Sequence, residues 1–306
     1  TYTLRVGNKS DNGGKAYDIK ISDSLDNNSA ANGAYISSAP VVMNDAGKNV
    51  TDEFAFAWTN KTASGNTAFA LHTDGPLANN EHYIVSYQVK NGNVGSVGLY
   101  DTGINNEAVV QFGSGTSIAK SVRDDEDVKA IKPVLSIEKS ADKISTNISE
   151  DVVYTVTAKQ TVSGAVAINP VISDRLQSGF VAAGGKYIAD SVRVTNAAGA
   201  DVTNKCTVKW INGNAGFDVT YNDSLDSDDL LHVTYKVRYG STASVGLQGH
   251  SWTNTVSMSS PNATDDATGT ATVTVLKPSL SVQKSVDKQY ANVDDTITYA
   301  LTASNN

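Results

Sequence analysis

KPVLSIEKS at 132–140 returns as KPSLSVQKS at 277–285, an offset of 145 (277 − 132). Both stretches alternate apolar and polar residues, so each reads as a strand whose every second side chain shares a face. The match widens on either side. Ile172-x-Asp174 echoes Ile21-x-Asp23, and Trp252-x-Asn254 echoes Ile104-x-Asn106. Tyr2, Tyr154 and Tyr299 hold one position, Tyr87 matches Tyr235, and SVGL at 96–99 recurs at 244–247. A period of about 150 residues is too long for a solenoid unit and predicts whole domains in tandem.

Period-2 alternation also marks YTLRV at 2–6, YIVSYQV at 83–89, HVTYKV at 232–237, ATVTV at 271–275 and TITYAL at 296–301. Turn-forming clusters such as DNGG at 11–14 and NGN at 91–93 separate such runs, and long 3.6-period stretches are missing. The expectation is an all-β chain of tandem Ig-like β-sandwich domains. Residues 132–276 read as a complete repeat, 1–131 as a repeat lacking its first, lysine-bearing strand, and 277–306 as the first two strands of another. Two readings of the ends follow. The chain is an excerpt of a longer array, or its tail completes repeat one of a neighbouring chain by strand addition, giving a head-to-tail filament.

At 306 residues the chain can bury two cores. A net charge of −8 argues against nucleic acid, which demands basic patches. No apolar run reaches membrane-spanning length, so no membrane insertion is expected in this segment. Tyr2 already lies within a strand-like run, which predicts that the natural protein extends beyond both ends. The single Cys206 excludes an internal disulfide and any multi-Cys metal site; aligning Trp210 with Trp58 sets it opposite Phe54, as a buried thiol. Few prolines and methionines with abundant Asn, Ser, Thr, Asp and Gly suit an extracellular protein.

Other signals are weak. DSLDSDD at 223–229 lacks EF-hand spacing and DDED at 124–127 reads as a solvated turn. His72, His82, His232 and His250 show no short ligand spacing, so no metal and no cofactor is expected. No phosphate-binding glycine loop or GxSxG elbow points to an enzyme with an external substrate. Sequons stand at Asn8, Asn49, Asn60, Asn147, Asn222 and Asn262, in a chain so rich in Asn, Ser and Thr that chance accounts for them.

Chemistry gathers in three strands of the complete repeat. Lys139 shares a face with Leu135 and Ile137, Asp174 with Ile172 and Leu176, and Asn254 with Trp252, Val256 and Met258. The apolar neighbours mark those faces as inward, and three buried polar groups need partners, most simply one another. Desolvation lowers a Lys pKa and raises an Asp pKa, so Lys139 would be a neutral amine and Asp174 a neutral acid. Such a trio suits an autocatalytic Lys139–Asn254 isopeptide bond promoted by Asp174, made once per domain without turnover. Each residue also has a plain reading: a snorkelling lysine, a strand-closing aspartate, a satisfied core amide.

LSVQKSVDKQYANVDDTITYALTASNN at 280–306 resembles the opening of the DUF11-type repeats of bacterial and archaeal surface proteins. Those repeats are similar to the isopeptide-forming D2 domains of Gram-positive pilins and adhesins. VISDRLQSGF at 171–180 matches their strand-Asp-Leu-x-x-Gly element, and WTNTV at 252–256 their late-strand Asn; the resemblance spans nearly the whole chain. It implies amine donor, catalytic acid and acceptor at Lys139, Asp174 and Asn254. For repeat one it implies Asp23 and Asn106, with the lysine outside this sequence, and for the third repeat Lys284. The chain departs from the pattern at SED 149–151 and VDD 293–295, where a Gly before the Asp is usual. No pilin-type polymerisation lysine motif and no sorting signal is present. The implied role is a structural stalk or fibre shaft at a prokaryotic cell surface or wall. Its partners would be further copies of the repeat, in cis or in trans through 277–306. The alternative is an adhesin module with a host or glycan ligand, which an exposed aromatic cluster would favour; none is evident in the sequence.

Overall fold

A computed structural model describes residues 1–306 apart from 101, 115, 116, 212 and 214. Strands make up nearly all of the regular structure, and the all-β class follows directly from the alternation. Among the described residues no helix is long and apolar enough to cross a membrane. Two units form. One holds Thr1–Val134 with Gln160–Ile168 and Ser260–Asp265; the other holds Leu135–Lys159, Asn169–Ser259 and Asp266–Asn306.

In the first unit, strands Tyr2–Gly7, His82–Tyr87 and Val41–Asn44 form one sheet, with Tyr2–Gly7 at its edge. The facing sheet runs Ser117–Val128, Ile104–Ser114, Ile19–Leu25 and Asn66–Thr73, with shorter strands beyond. Alternation fixes what goes inside. Ile19, Ile21 and Leu71 from one sheet meet Val85 and Val42 from the other in a single core.

The second unit repeats this plan. Asp151–Gln160, Leu230–Arg238 and Arg193–Asn196 correspond to the first sheet. Ala267–Val275, Ser251–Ser259, Val171–Arg175, Gly216–Tyr221 and Cys206–Ile211 correspond to the second. It differs chiefly at one edge. The Lys139 strand, Leu135–Ala141, lies beside Asp151–Gln160, whereas among the described residues no strand lies on that side of Tyr2–Gly7 in the first unit. Leu280–Val286 and Tyr299–Asn305 pair as a two-stranded sheet of their own with all their side chains exposed.

The two departures from the expected glycine have a backbone counterpart. Ser149 and Asp294, which occupy equivalent positions, adopt φ of 71° and 79°. A side chain in this left-handed region costs on the order of 1 kcal/mol that glycine avoids. Ser149→Gly is therefore expected to stabilise the second unit by about 0.5–1 kcal/mol. Calorimetry should show its melting temperature rising by roughly 1–4 °C.

Candidate functional site: a buried Lys–Asp–Asn cluster and its unfilled counterpart

The Asp174 strand is central in its sheet, flanked by Gly216–Tyr221 (Asp174 opposite Phe217) and Ser251–Ser259 (Asp174 opposite Val256). Asn254 sits on the latter, two residues along the same face. Ile172, Val256 and Met258 surround these polar groups and are buried, as are Asp174 at 0% and Asn254 at 3% exposure. The Lys139 side chain enters from the edge strand and is fully buried. Gly269 makes room for it: a Cβ there would stand 3.2 Å from the Ile137 carbonyl oxygen and 3.4 Å from the Lys139 nitrogen.

Lys139 Nζ donates to Asp174 Oδ2. The Tyr235 hydroxyl donates to the same oxygen and the Tyr187 hydroxyl to Oδ1. Asn254 joins through Tyr235, its Nδ2 donating to the Tyr235 hydroxyl at 3.4 Å. Its carbonyl oxygen Oδ1 is buried without a partner. Tyr154 stacks on Tyr235 with ring centroids 5.7 Å apart, and Lys139 Nζ lies 5.0 Å from the centre of the Tyr154 ring. Burial pushes the Lys139 ammonium down to about 8, against the opposing pull of Asp174. Burial raises the Tyr235 and Tyr187 hydroxyls far out of the physiological range, so they act as neutral donors.

Lys139, Asp174 and Asn254 thus gather in one buried cluster, as their inward parity suggests. The tyrosines are what sequence reasoning missed. Tyr235 appeared only as a repeat marker, and Tyr187 lies on a two-residue strand, Lys186–Tyr187, too short to show alternation.

The first unit holds the same arrangement with a member short. The Tyr87 hydroxyl donates to Asp23 Oδ2 at 2.6 Å, and Asn106 Nδ2 donates to the same oxygen at 3.2 Å and to the Tyr87 hydroxyl at 2.5 Å. Asp23 and Asn106 are 2% and 4% exposed. Among the described residues no lysine reaches them. Asp23 Oδ1, Asn106 Oδ1 and the Tyr2 hydroxyl are buried without partners. Two substitutions explain the gaps at Asp23 and Tyr2, whereas the one at Asn106 recurs at Asn254 in the second unit. Ile36, opposite Val89, stands where Tyr187, opposite Val237, serves Asp174. Asn91 takes the place of Tyr239, whose hydroxyl pairs with that of Tyr154 at 2.7 Å. Burial, partly offset by Tyr87 and Asn106, raises the Asp23 carboxyl to about 6.

Lys284 joins neither cluster. It stands on the exposed hairpin with Nζ 4.2 Å from the centre of the Tyr299 ring. Cys206 is half-buried rather than enclosed, and burial raises its thiol to about 11, so it is a poor nucleophile. His72 lies 2.6 Å from Asp18 and 3.3 Å from Asp74, a surface contact unseen in the sequence spacing. Phe56 and Trp58 on strand Ala55–Lys61 form an edge-to-face pair 5.0 Å apart and are 40% and 36% exposed, an aromatic patch that the sequence did not disclose.

No family model matches the chain, and no curated protein matches it either. Among solved structures it is similar to the N-terminal domain of the Streptococcus gordonii adhesin Sgo0707, at 12% identity and a TM-score of 0.36 over 85% of this chain. The match takes in 56% of that domain. It is also similar to the full-length major pilin SpaD from Corynebacterium diphtheriae, at 12% identity and a TM-score of 0.34 over 92% of this chain and 67% of the pilin. The collagen adhesin of Staphylococcus aureus matches at 11% identity and a TM-score of 0.30 over 100% of this chain and 95% of the adhesin.

Proposed function

We propose that the chain is a structural shaft segment of a prokaryotic cell-surface protein, stiffened by an isopeptide bond between Lys139 and Asn254. The observation that carries this reading is the complete burial of Lys139 and Asp174 in contact, with Asn254 tied to them through Tyr235. A buried ion pair is weak support for stability on its own, because desolvation offsets most of its Coulomb energy. As a reaction site it has a clear use.

Lys139 passes a proton to Asp174 and becomes a neutral amine, which burial favours. Protonated Asp174 polarises the Asn254 carboxamide. The amine attacks Cγ of Asn254, forming a new C–N bond. The bond from Cγ to Nδ2 then breaks, and Asp174 relays a proton to the departing nitrogen. The products are one amide and one ammonia, and the event is single-turnover. No external substrate is used.

The bond would join the first strand of the second unit to a late one. Tension passing along the chain then bypasses the strands between them, which suits a stalk outside the cell. A second reading, an adhesin module with a host or glycan ligand, draws support from the exposed Phe56–Trp58 pair. Aromatic pairs of this kind are useful ligand platforms, but one pair on an edge strand supports less than a buried reactive trio.

Intact mass spectrometry tests the primary reading. The wild-type chain is expected to lose one ammonia, located by fragmentation between Lys139 and Asn254. Lys139→Met, which keeps the volume of the side chain, is expected at its unmodified mass. An unmodified wild-type mass would reduce the trio to a hydrogen-bonded core cluster.

A further inference from the structure

The Tyr235 hydroxyl stands between the acid and the leaving group of the proposed reaction. It donates to Asp174 Oδ2 and accepts from Asn254 Nδ2 at 3.4 Å. Asp174 itself accepts from Lys139, Tyr187 and Tyr235, and Asn254 is tied to it through Tyr235. A hydroxyl can take a proton from one neighbour while giving its own to another. The Tyr235 ring is also held in place. It stacks on Tyr154 at 5.7 Å between centroids and meets Phe217 edge to face at 4.9 Å and Tyr187 at 5.7 Å.

The first unit repeats the bridge without the lysine. The Tyr87 hydroxyl, counterpart of Tyr235, donates to Asp23 Oδ2 at 2.6 Å and accepts from Asn106 Nδ2 at 2.5 Å. There Asn106 also reaches Asp23 Oδ2 directly, at 3.2 Å. Tyr187 has no such counterpart, because Ile36 takes its place. The Asn–Tyr–Asp bridge therefore needs neither Lys139 nor Tyr187 and comes from how the two sheets face each other. We infer that Tyr235 is a catalytic residue for the Lys139–Asn254 bond, its hydroxyl carrying a proton from Asp174 to the departing Nδ2. The inference rests on the chemistry proposed for Lys139 and Asn254.

The proton count closes as follows. Lys139 gives one proton to Asp174, and its neutral Nζ forms a bond to Cγ of Asn254. Protonated Asp174 now donates to the Tyr235 oxygen, which frees the phenol hydrogen to turn towards Nδ2. As the bond from Cγ to Nδ2 breaks, Tyr235 gives its proton to Nδ2 and takes the Asp174 proton in return. The new amide nitrogen sheds its surplus proton to Asp174. The products are one amide, one ammonia, a protonated Asp174 and an unchanged Tyr235. Burial holds the phenol neutral far above physiological pH, so it is always loaded with the proton it must pass.

The plain alternative is that the hydroxyl only holds Asp174 in position. Tyr187 provides the comparison, since its hydroxyl donates to the other carboxylate oxygen. Tyr154 provides a second one: its ring stacks on Tyr235, but its hydroxyl pairs with that of Tyr239.

The test follows ammonia loss from the full chain during cell-free synthesis, with aliquots quenched in acid and weighed intact. Tyr235→Phe is expected to slow the loss by on the order of 100-fold or more, the scale of general acid catalysis. Tyr187→Phe and Tyr154→Phe, which each remove one buried hydroxyl from the same cluster, should stay within a few-fold of the wild type. Near-ultraviolet circular dichroism of the purified chains checks that each is folded. If Tyr235→Phe does not fold, 3-fluorotyrosine at position 235 keeps the ring and hydroxyl while making the phenol more acidic. A relay should then run faster, and an unchanged rate would overturn the inference. So would a Tyr235→Phe chain that matures as fast as Tyr154→Phe, or a Tyr187→Phe chain that alone is slow, which would route the proton through Oδ1. A wild type that never loses ammonia would instead bring down the chemistry on which the inference rests.

Discussion

Asp174→Ala is expected to leave the chain at its unmodified mass and to lower the melting temperature of the second unit by on the order of 20–40 °C. Two effects add. Without the acid the cross-link does not form, and residues 139 to 254 enclose 115 residues (254 − 139) that are no longer closed in the unfolded chain. By the chain-entropy estimate for disulfides, a closure of that length contributes roughly 5 kcal/mol. The substitution also leaves Lys139 buried without its carboxylate, and breaking a buried pair from one side typically costs about 3–5 kcal/mol. Asp174→Asn separates the contributions. It retains volume and an acceptor for one of the two tyrosine hydroxyls but supplies no acid, so it should abolish the ammonia loss with a smaller fall in melting temperature. Calorimetry with intact-mass measurement on the same samples reads both. An Asp174→Ala chain that still loses ammonia would show that Tyr235 or Tyr187 is the proton donor.

The sequence made the trio legible because strands alternate. Once Leu135, Ile137, Ile172 and Val256 mark the inner faces, Lys139, Asp174 and Asn254 are inward by parity alone, and burial then restricts their options. The hydroxyls that hold Asp174 were not legible. Tyr187 and Tyr235 reach it from the opposite sheet, so their position depends on how two sheets pack and not on spacing within one strand. A tyrosine in an alternating run reads equally well as core volume, and Tyr154 shows the ambiguity: its ring packs in the core while its hydroxyl finds Tyr239. The half-filled site in the first unit was hidden for the same reason. Ile36 for Tyr187 and Asn91 for Tyr239 are unremarkable as sequence, and only the paired sheets show that each leaves a buried oxygen alone. The exposed Phe56–Trp58 pair escaped because an edge strand alternates like a central one.

The unfilled site should reveal itself through pH. Asp23 ionises at about 6 in the folded chain, above its ordinary value of 3.8. The folded state therefore holds a proton that the unfolded state gives up. The associated stability is fully present below about pH 4 and is lost as pH rises through about 6. At 1.36 kcal/mol for each pKa unit, the first unit is expected to lose about 3 kcal/mol over that interval and to stay at the lower level at neutral pH. The purified chain, with the transition of the first unit followed separately, is the material for the measurement. Asp23→Asn should remove the slope and raise the melting temperature at pH 7 by several degrees, on the order of 2–3 kcal/mol, because an amide fits the same space without a charge to bury. The groups that face Asp23, Tyr87 and Asn106, are both neutral donors, so neither supplies the positive charge that Lys139 gives Asp174. Seating a lysine beside Asp23 would supply it and should remove the slope as Asp23→Asn does. A flat profile would show that Asp23 ionises there without penalty, and the site would then have no electrostatic need of a cation.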